Sequence, residues 1–330
     1  MTAAPRLNYE SDSMKAIVFD QKIGFFQVEI GELVHRLPKD GFFWLDIDGA
    51  SAEELQTVTS VLKIAEPASS WLPRFGQRAR FEVDGGQIRI STFAAGVSGL
   101  PIEGHVLYTR SWLLTVHTGA TDSMDRARKM YTVLTDKIAF NRALGLLIVL
   151  SEFIASFDLL LEQTDELLGV LEDQVLRDPK EAQLQQLSGL RKQLWPLHRL
   201  WAPQQVAVRN FVVALGGIPE IGETAQQFRD YEERVSDLMD KINDLRQMAT
   251  EAMQCYATSV SNKQSQIINR LTILSAVFLP MTFLTGYLGM NIQWMVDHLQ
   301  SLGAYLVLGV GLFVVILATT LLLFKSRGWL

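Results

Sequence analysis

The residues of this chain that could do chemistry are few and scattered. Cys255 is the only cysteine, so no disulfide can form within the chain, and His35, His105, His117, His198 and His298 show no metal-ligand spacing with one another or with it. No glycine-rich phosphate loop and no nucleophile elbow appears, which makes an enzyme the least favoured class, and no resident cofactor is expected. One acidic stretch stands out: Glu162, Asp165, Glu166, Glu172 and Asp173. Such rows either concentrate cations or are simply a solvated face. The most suggestive group is Gly289-Met290-Asn291, because of where it lies. Asn291 offers a neutral oxygen acceptor, and Gly and Asn are both common where helices end.

The tripeptide stands between two uncharged runs, Leu271 to Leu288 and Leu302 to Phe324. A helix needs roughly 20 apolar residues to cross a bilayer. Lipid leaves backbone polar groups no other partner, so each run is predicted to be a helix and the pair a membrane hairpin. Lys263 and Arg270 precede the first run, Lys325 and Arg327 follow the second, and the link from Ile292 to Ser301 holds Asp297 but no Lys or Arg. The positive-inside rule then places both termini in the cytoplasm and the link outside. The first residues, MTAAPRLNYESDSMK, contain no apolar core of a signal peptide. A multi-pass protein of the inner (plasma) membrane with a cytoplasmic soluble part is expected, and the lone cysteine fits that compartment. With a net charge of -6 and scattered basic residues, nucleic acid is not an expected partner.

The soluble part changes character along its length. Residues 1–140 read as a cytoplasmic α/β domain. Met14 to Asp20 and Phe42 to Asp48 are runs of aromatic and β-branched residues that predict strands. Ser51 and Glu54 predict a capping box for a helix from Ala52 to Ile64. Asp84-Gly85-Gly86 between apolar runs predicts a hairpin, Arg110-Ser111 marks a second, and a helix is expected from Asp122 to Ile138. The fold class is therefore α+β, a small sheet flanked by helices. Residues 141–222 read as antiparallel helices: a long one from Leu144 to Val175, a break at Asp178-Pro179, a second from Glu181 to Trp195, and a loop at Gly216-Gly217 and Pro219.

Residues 223–270 read as a stalk. Phe228, Tyr231, Val235, Leu238, Ile242, Leu245, Ala249, Ala252 and Tyr256 recur at spacings of three and four, a coiled-coil pattern. Neither Pro nor Gly occurs from Glu223 to Leu279, so one helix is expected to run from the stalk into the first span, residues 271–291. The seam continues, with a slip in phase, through Leu271, Ser275, Leu279, Thr282, Gly286 and Gly289. That small and hydroxylated face suits close packing or lining a water-filled path. Two spans cannot enclose a path, so a pore requires several copies around an axis. The remaining segments are an outer loop at 292–301, a second span at 302–324 and a basic tail at 325–330.

Taken together, Gly289-Met290-Asn291 at the end of the first of two C-terminal spans, Leu279-Pro280-Met281-Thr282-Phe283 before it, and the ending KSRGWL resemble the CorA-type divalent metal transporters, a superfamily that includes a bacterial zinc-transporter branch. The resemblance implies a CorA-like funnel, a homopentamer in a lipid bilayer, and Mg2+, Co2+, Ni2+ or Zn2+ as cargo. It assigns Gly289, Met290 and Asn291 to the selectivity filter, Thr282 to an inner polar ring, Leu271 and Leu279 to hydrophobic constrictions, and Ser275 to the lining. It places Asp230 near a regulatory cytoplasmic metal site, with Asp84 or Glu82 as a partner. Other readings compete: ordinary helix packing for Leu271 and Leu279, a bond back to its own helix for Thr282, a tolerated proline for a kink at Pro280, and a solvated surface for Asp230. Leu288 stands where the family often has Tyr, and the loop IQWMVDHLQ lacks the usual Pro-Glu pair. A membrane-tethered scaffold or sensor is the alternative function.

Overall fold

The aromatic and β-branched runs do become strands. The computed structural model describes residues 15–76, 80–84, 86–96, 100–119, 121–214, 224–290, 293 and 301–326. β1 (Lys15–Asp20) is followed by β2 (Gly24–Glu29), α1 (Leu33–Arg36), β3 (Phe43–Asp48), α2 (Ala52–Val61) and α3 (Ala68–Trp71). Next come β4 (Arg80–Asp84), β5 (Gln87–Ala95), β6 (Pro101–Tyr108) and β7 (Trp112–His117). They form one seven-stranded sheet in the order β2-β1-β3-β7-β6-β5-β4. Only β3 and β7 pair in parallel; the others are antiparallel.

Both expected hairpins form. Asp84 pairs with Gln87 across a turn in which Gly86 has φ +84, a conformation that favours glycine; Gly85 lies outside the described residues. Tyr108 pairs with Leu113 across the second. The capping box is present too, with the Ser51 and Glu54 side chains each accepting from the other's backbone N–H. α2 nevertheless stops at Val61 rather than Ile64, because Lys63 turns left-handed at φ +54 and Ile64 N bonds Thr59 O instead. The sheet is larger than expected. Strand β2 was not anticipated, because GFFQVE carries few turn signals and its apolar residues do not alternate cleanly.

The two faces of the sheet divide the work. Leu45, Ile47, Leu114, Val116 and Leu107 pack against Leu55 and Val58 of α2 and Trp71 of α3. The opposite face carries Trp44, Asp46, Thr115 and His117. It is covered by α4 (Asp122–Val133), whose Tyr131 lies 4.5 Å from Trp44 between ring centroids and whose Arg128 reaches Asp46 at 2.7 Å. The expected helix to Ile138 is divided at Leu134 into α4 and α5 (Thr135–Phe140).

The long helix expected from Leu144 to Val175 is also broken, into α6 (Ala143–Ala155) and α7 (Asp158–Arg177). Ser156 stands at the break. Its hydroxyl donates to Phe153 O and accepts from Ala95 N at 2.7 Å, tying the bend to β5. By composition the stretch Ala143–Arg177 is apolar enough to cross a membrane, yet 56% of its most apolar window is buried inside the protein. Its α6 half is the core helix, with nine of its thirteen residues buried, and α7 carries the exposed acidic face. Gly104 on β6 leaves room for α6: a Cβ there would lie 2.8 Å from the Phe153 ring.

α8 (Glu181–Ala214) runs far past the expected end at Trp195, through Pro196 and Pro203. Its buried row Leu187, Leu190, Leu194, Leu197, Trp201 and Val208 supplies more than two prolines remove. The expected loop at Gly216-Gly217 and Pro219 lies outside the described residues. α9 (Ala225–Leu288) is the uninterrupted helix that the sequence predicts. Phe228 to Ala252 of its seam are buried, and Tyr256 is half-buried. The partner is the chain itself: Phe211 of α8 lies 5.3 Å from Phe228 and Phe81 of β4 lies 6.3 Å from Tyr231 between ring centroids. After α9 come a turn at Leu302–Ala304, a π-helical stretch Tyr305–Gly311 and a helix Leu312–Ser326. The chain divides into two compact units, residues 1–173 with 182–252, and residues 174–181 with 253–330.

Gly104→Ala is expected to overpack the contact with Phe153 and cost about 1–3 kcal/mol of stability, read as a lowered melting temperature of the purified protein. An unchanged melting temperature would show that α6 is free to shift.

Candidate functional site: the apolar hairpin and the end of α9

Two stretches are apolar and long enough to cross a membrane without being core. None of the most apolar window of α9 or of Leu306–Ser326 is buried inside the protein, 0% in each case. In a 37.1 kDa chain with a well-filled core elsewhere, that much uncovered apolar surface needs lipid or other copies of the chain.

The residues assigned to a path lie on this uncovered part of α9. Leu271 is 61% exposed and Leu279 75%, and Ser275 and Thr282 are exposed as well, so packing within the chain accounts for neither leucine. The Thr282 hydroxyl donates to Phe278 O at 2.8 Å, the bond back to its own helix that competes with a polar ring. Thr272 and Thr285 do the same toward Ile268 O and Met281 O. A donated hydroxyl hydrogen leaves the oxygen lone pairs available, so these threonines still present acceptors along the helix. Pro280 sits inside the helix, which continues beyond it to Leu288.

The helix end is tightly wound. Gly289 N bonds Thr285 O at 2.9 Å and Met290 N bonds Tyr287 O at 3.2 Å. Gly289 is not left-handed, so it is no αL cap; glycine is favoured here by space, since a Cβ would lie 3.0 Å from Thr285 O. Asn291 lies outside the described residues, as do Asp297 and His298.

The assigned regulatory carboxylates are not brought together within one chain. Asp230 is exposed on α9 and accepts from Gln226 Nε2 at 2.9 Å. Glu82 and Asp84 both face Arg89, at 3.0 and 3.7 Å. Strand alternation turns them away from the sheet face on which Phe81 meets Tyr231 of α9. Glu162, Asp165, Glu166, Glu172 and Asp173 are all exposed on α7. Among the described residues no three His, Cys, Asp or Glu side chains converge as a metal site.

Sequence reasoning missed one link on the approach to the first uncovered apolar stretch. Asp178, at the tip between α7 and α8, accepts from Lys263 Nζ at 2.7 Å, with Lys180 at 3.4 Å. Lys263 lies eight residues before Leu271, where the uncharged run begins. Only the Asp178-Pro179 break signalled the tip; which lysine it reaches depends on how the helices pack. Lys263 first, then Lys180, holds the Asp178 carboxyl below its ordinary value of 3.8. With Lys263→Ala, the Asp178 carboxyl is expected to titrate closer to 3.8 by carboxyl NMR; an unmoved titration would mean that Lys263 does not hold the tip.

The family described as CorA-like Mg2+ transporter protein matches residues 39–326. The cobalt/magnesium transport protein CorA of Thermotoga maritima is 28% identical over 234 residues, 68% of this chain and 64% of that protein. Its counterpart from Methanocaldococcus jannaschii is 27% identical over 223 residues, 66% of this chain and 68% of that protein. The matches thus take in about two thirds of the length of these curated relatives. Among solved structures, the complete CorA magnesium transporter of M. jannaschii superposes with a TM-score of 0.76 at 22% identity, covering 96% of this chain and 98% of that one. The full-length CmaX protein gives 0.71 at 16% identity, over 98% and 100%. At these identities the likeness is one of fold.

Proposed function

The chain belongs to the CorA-like Mg2+ transporter protein family, and from that premise we propose that it is a channel-like transporter of divalent cations, a homopentamer in the inner (plasma) membrane with both termini in the cytoplasm. The observation that carries this reading is that the family match extends through residue 326, and so through both uncovered apolar stretches and the tripeptide between them. Mg2+ and Co2+ lead the candidate cargoes, as the names of the curated relatives suggest; Ni2+ and Zn2+ follow from the wider superfamily.

The mechanism is electrostatic. Several copies of α9 around an axis bring their C-terminal ends together, where backbone carbonyl dipoles favour positive charge. Asn291 from each copy adds a neutral oxygen that binds the water shell of an arriving ion. Mg2+ gives up water reluctantly, so a ring of uncharged oxygens selects it without stripping it. Gly289 and Met290 shape that ring. Below it, Thr282 and Ser275 present hydroxyl oxygens, and Leu279 and Leu271 narrow the path. A membrane potential supplies about 2.3 kcal/mol per elementary charge per 100 mV, roughly twice that for a divalent ion. Asp230, with Glu82 or Asp84 of an adjacent copy, is the place where cytoplasmic metal would bridge subunits and hold the path shut, coupling flux to internal metal.

The test is uptake of Mg2+, Co2+, Ni2+ and Zn2+ into proteoliposomes under an inward-negative potential. The wild type is expected to conduct at least one ion, and Asn291→Ala to lose about tenfold in flux or selectivity, the equivalent of about 1.4 kcal/mol. No flux from correctly folded protein, together with a dimeric mass in detergent, would instead favour a tethered scaffold.

A further inference from the structure

A charged cluster on the sheet face beneath α4 has no part in the path described above. His117, at the end of β7, is 3% exposed. Its Nδ1 lies 3.0 Å from Gly119 O, which can only accept, so Nδ1 carries a hydrogen. Its Nε2 lies 3.4 Å from Asp46 Oδ1, an ion-pair separation with no hydrogen bond of its own. A bare Nε2 would aim a lone pair at a buried carboxylate; a protonated one presents a positive charge.

The surroundings favour the charged ring. β3 contributes Asp46, whose side chain is 2% exposed, and Asp48, whose Oδ1 stands 3.4 Å from His117 Nδ1 and accepts Gly119 N at 2.8 Å. α4 contributes Arg128, which donates to Asp46 at 2.7 Å and also to Asp125. Thr115 donates to Asp46 and accepts from Trp44 Nε1. On the β6 side the residue opposite His117 is Gly104, beneath the Phe153 ring of α6, so no further charge faces it there. The buried Asp46 and the half-exposed Asp48 both face the ring, and protonation of His117 turns each contact into an ion pair. Burial pushes its pKa down, but Asp46, Asp48 and Gly119 O outweigh that and hold it above the ordinary 6.5. Burial likewise opposes ionisation of Asp46, and His117, Arg128 and Thr115 more than offset it.

We propose that His117 is a proton-operated latch. Protonated, it fastens the end of β7 at Gly119 to Asp46 and Asp48 of β3. Deprotonated, it turns an Nε2 lone pair toward the buried Asp46 carboxylate, loses both ion pairs and releases Gly119, so the N-terminal unit responds to the pH of the compartment it faces. The stabilisation is fully present below 6.5 and is lost as pH rises through the raised value. Between the two, opening releases a proton, and the opening equilibrium rises about tenfold per pH unit.

The experiment is amide exchange on the intact protein in detergent between roughly pH 6 and 9, corrected for the intrinsic pH dependence of exchange. Opening at Gly119, whose N–H donates to Asp48, is expected to show that slope in the wild type and to lose it in His117→Gln, while amides of α2 show neither change. A wild type without the slope, or a slope that survives in His117→Gln, overturns the latch. Should His117→Gln fail to fold, ring NMR of the wild type decides: a His117 titration above 6.5 supports the latch and one below it overturns it. None of these readouts requires metal transport, so the latch and the transport reading stand or fall separately.

Discussion

Lipid gives a bare peptide group no hydrogen bond, and the C-terminal part of this chain is organised by that fact. α9 keeps its backbone paired for 64 residues, and its last part, from Leu271 to Leu288, is both uncharged and uncovered by the protein. The proline at position 280 is accommodated inside the helix rather than ending it. The hydroxylated residues on the same stretch are exposed, and its threonines bond back to α9.

The same constraint separates three apolar helical stretches that composition alone makes alike. The stretch Ala143–Arg177 is as apolar as a span, but Gly104, Tyr131 and the bend at Ser156 admit it to the core, whereas the other two find no such cover. The seam of α9 shows a related ambiguity. Its three-and-four spacing looks like a helix that pairs with copies of itself, yet the seam is buried within the single chain from Phe228 to Ala252, with α8 and β4 closing on Phe228 and Tyr231. Spacing tells which face is buried and says nothing of whose side chains bury it.

Much of the architecture was legible because it depends on neighbours in sequence. The Ser51 and Glu54 cap, the turn at Gly86, the break at Asp178-Pro179 and the unbroken α9 all follow from local chemistry. β2 was missed, since its six residues match no clean alternation, and α8 was cut short at Pro196, since burial overrode a local penalty. The candidate site divides the same way. Its position between two apolar runs is a sequence property, whereas the distances that join Asp178 to Lys263, or Asp46 to His117, span 85 and 71 residues and depend on packing. Carboxylates on an exposed helix, such as Asp230, carry no local mark that separates a metal ligand from a solvated surface.

The central claim is that one face of α9, marked by Leu271, Ser275, Leu279 and Thr282, lines a path for cations. Scanning that stretch with single cysteines, in protein whose own Cys255 is replaced by Ser, tests it directly. In membranes, a small charged thiol reagent should label Leu271→Cys, Ser275→Cys, Leu279→Cys and Thr282→Cys, with a transported divalent cation slowing the reaction. Positions between them should be inert. Labelling that follows no helical face, or cation protection on a different face, would contradict the account.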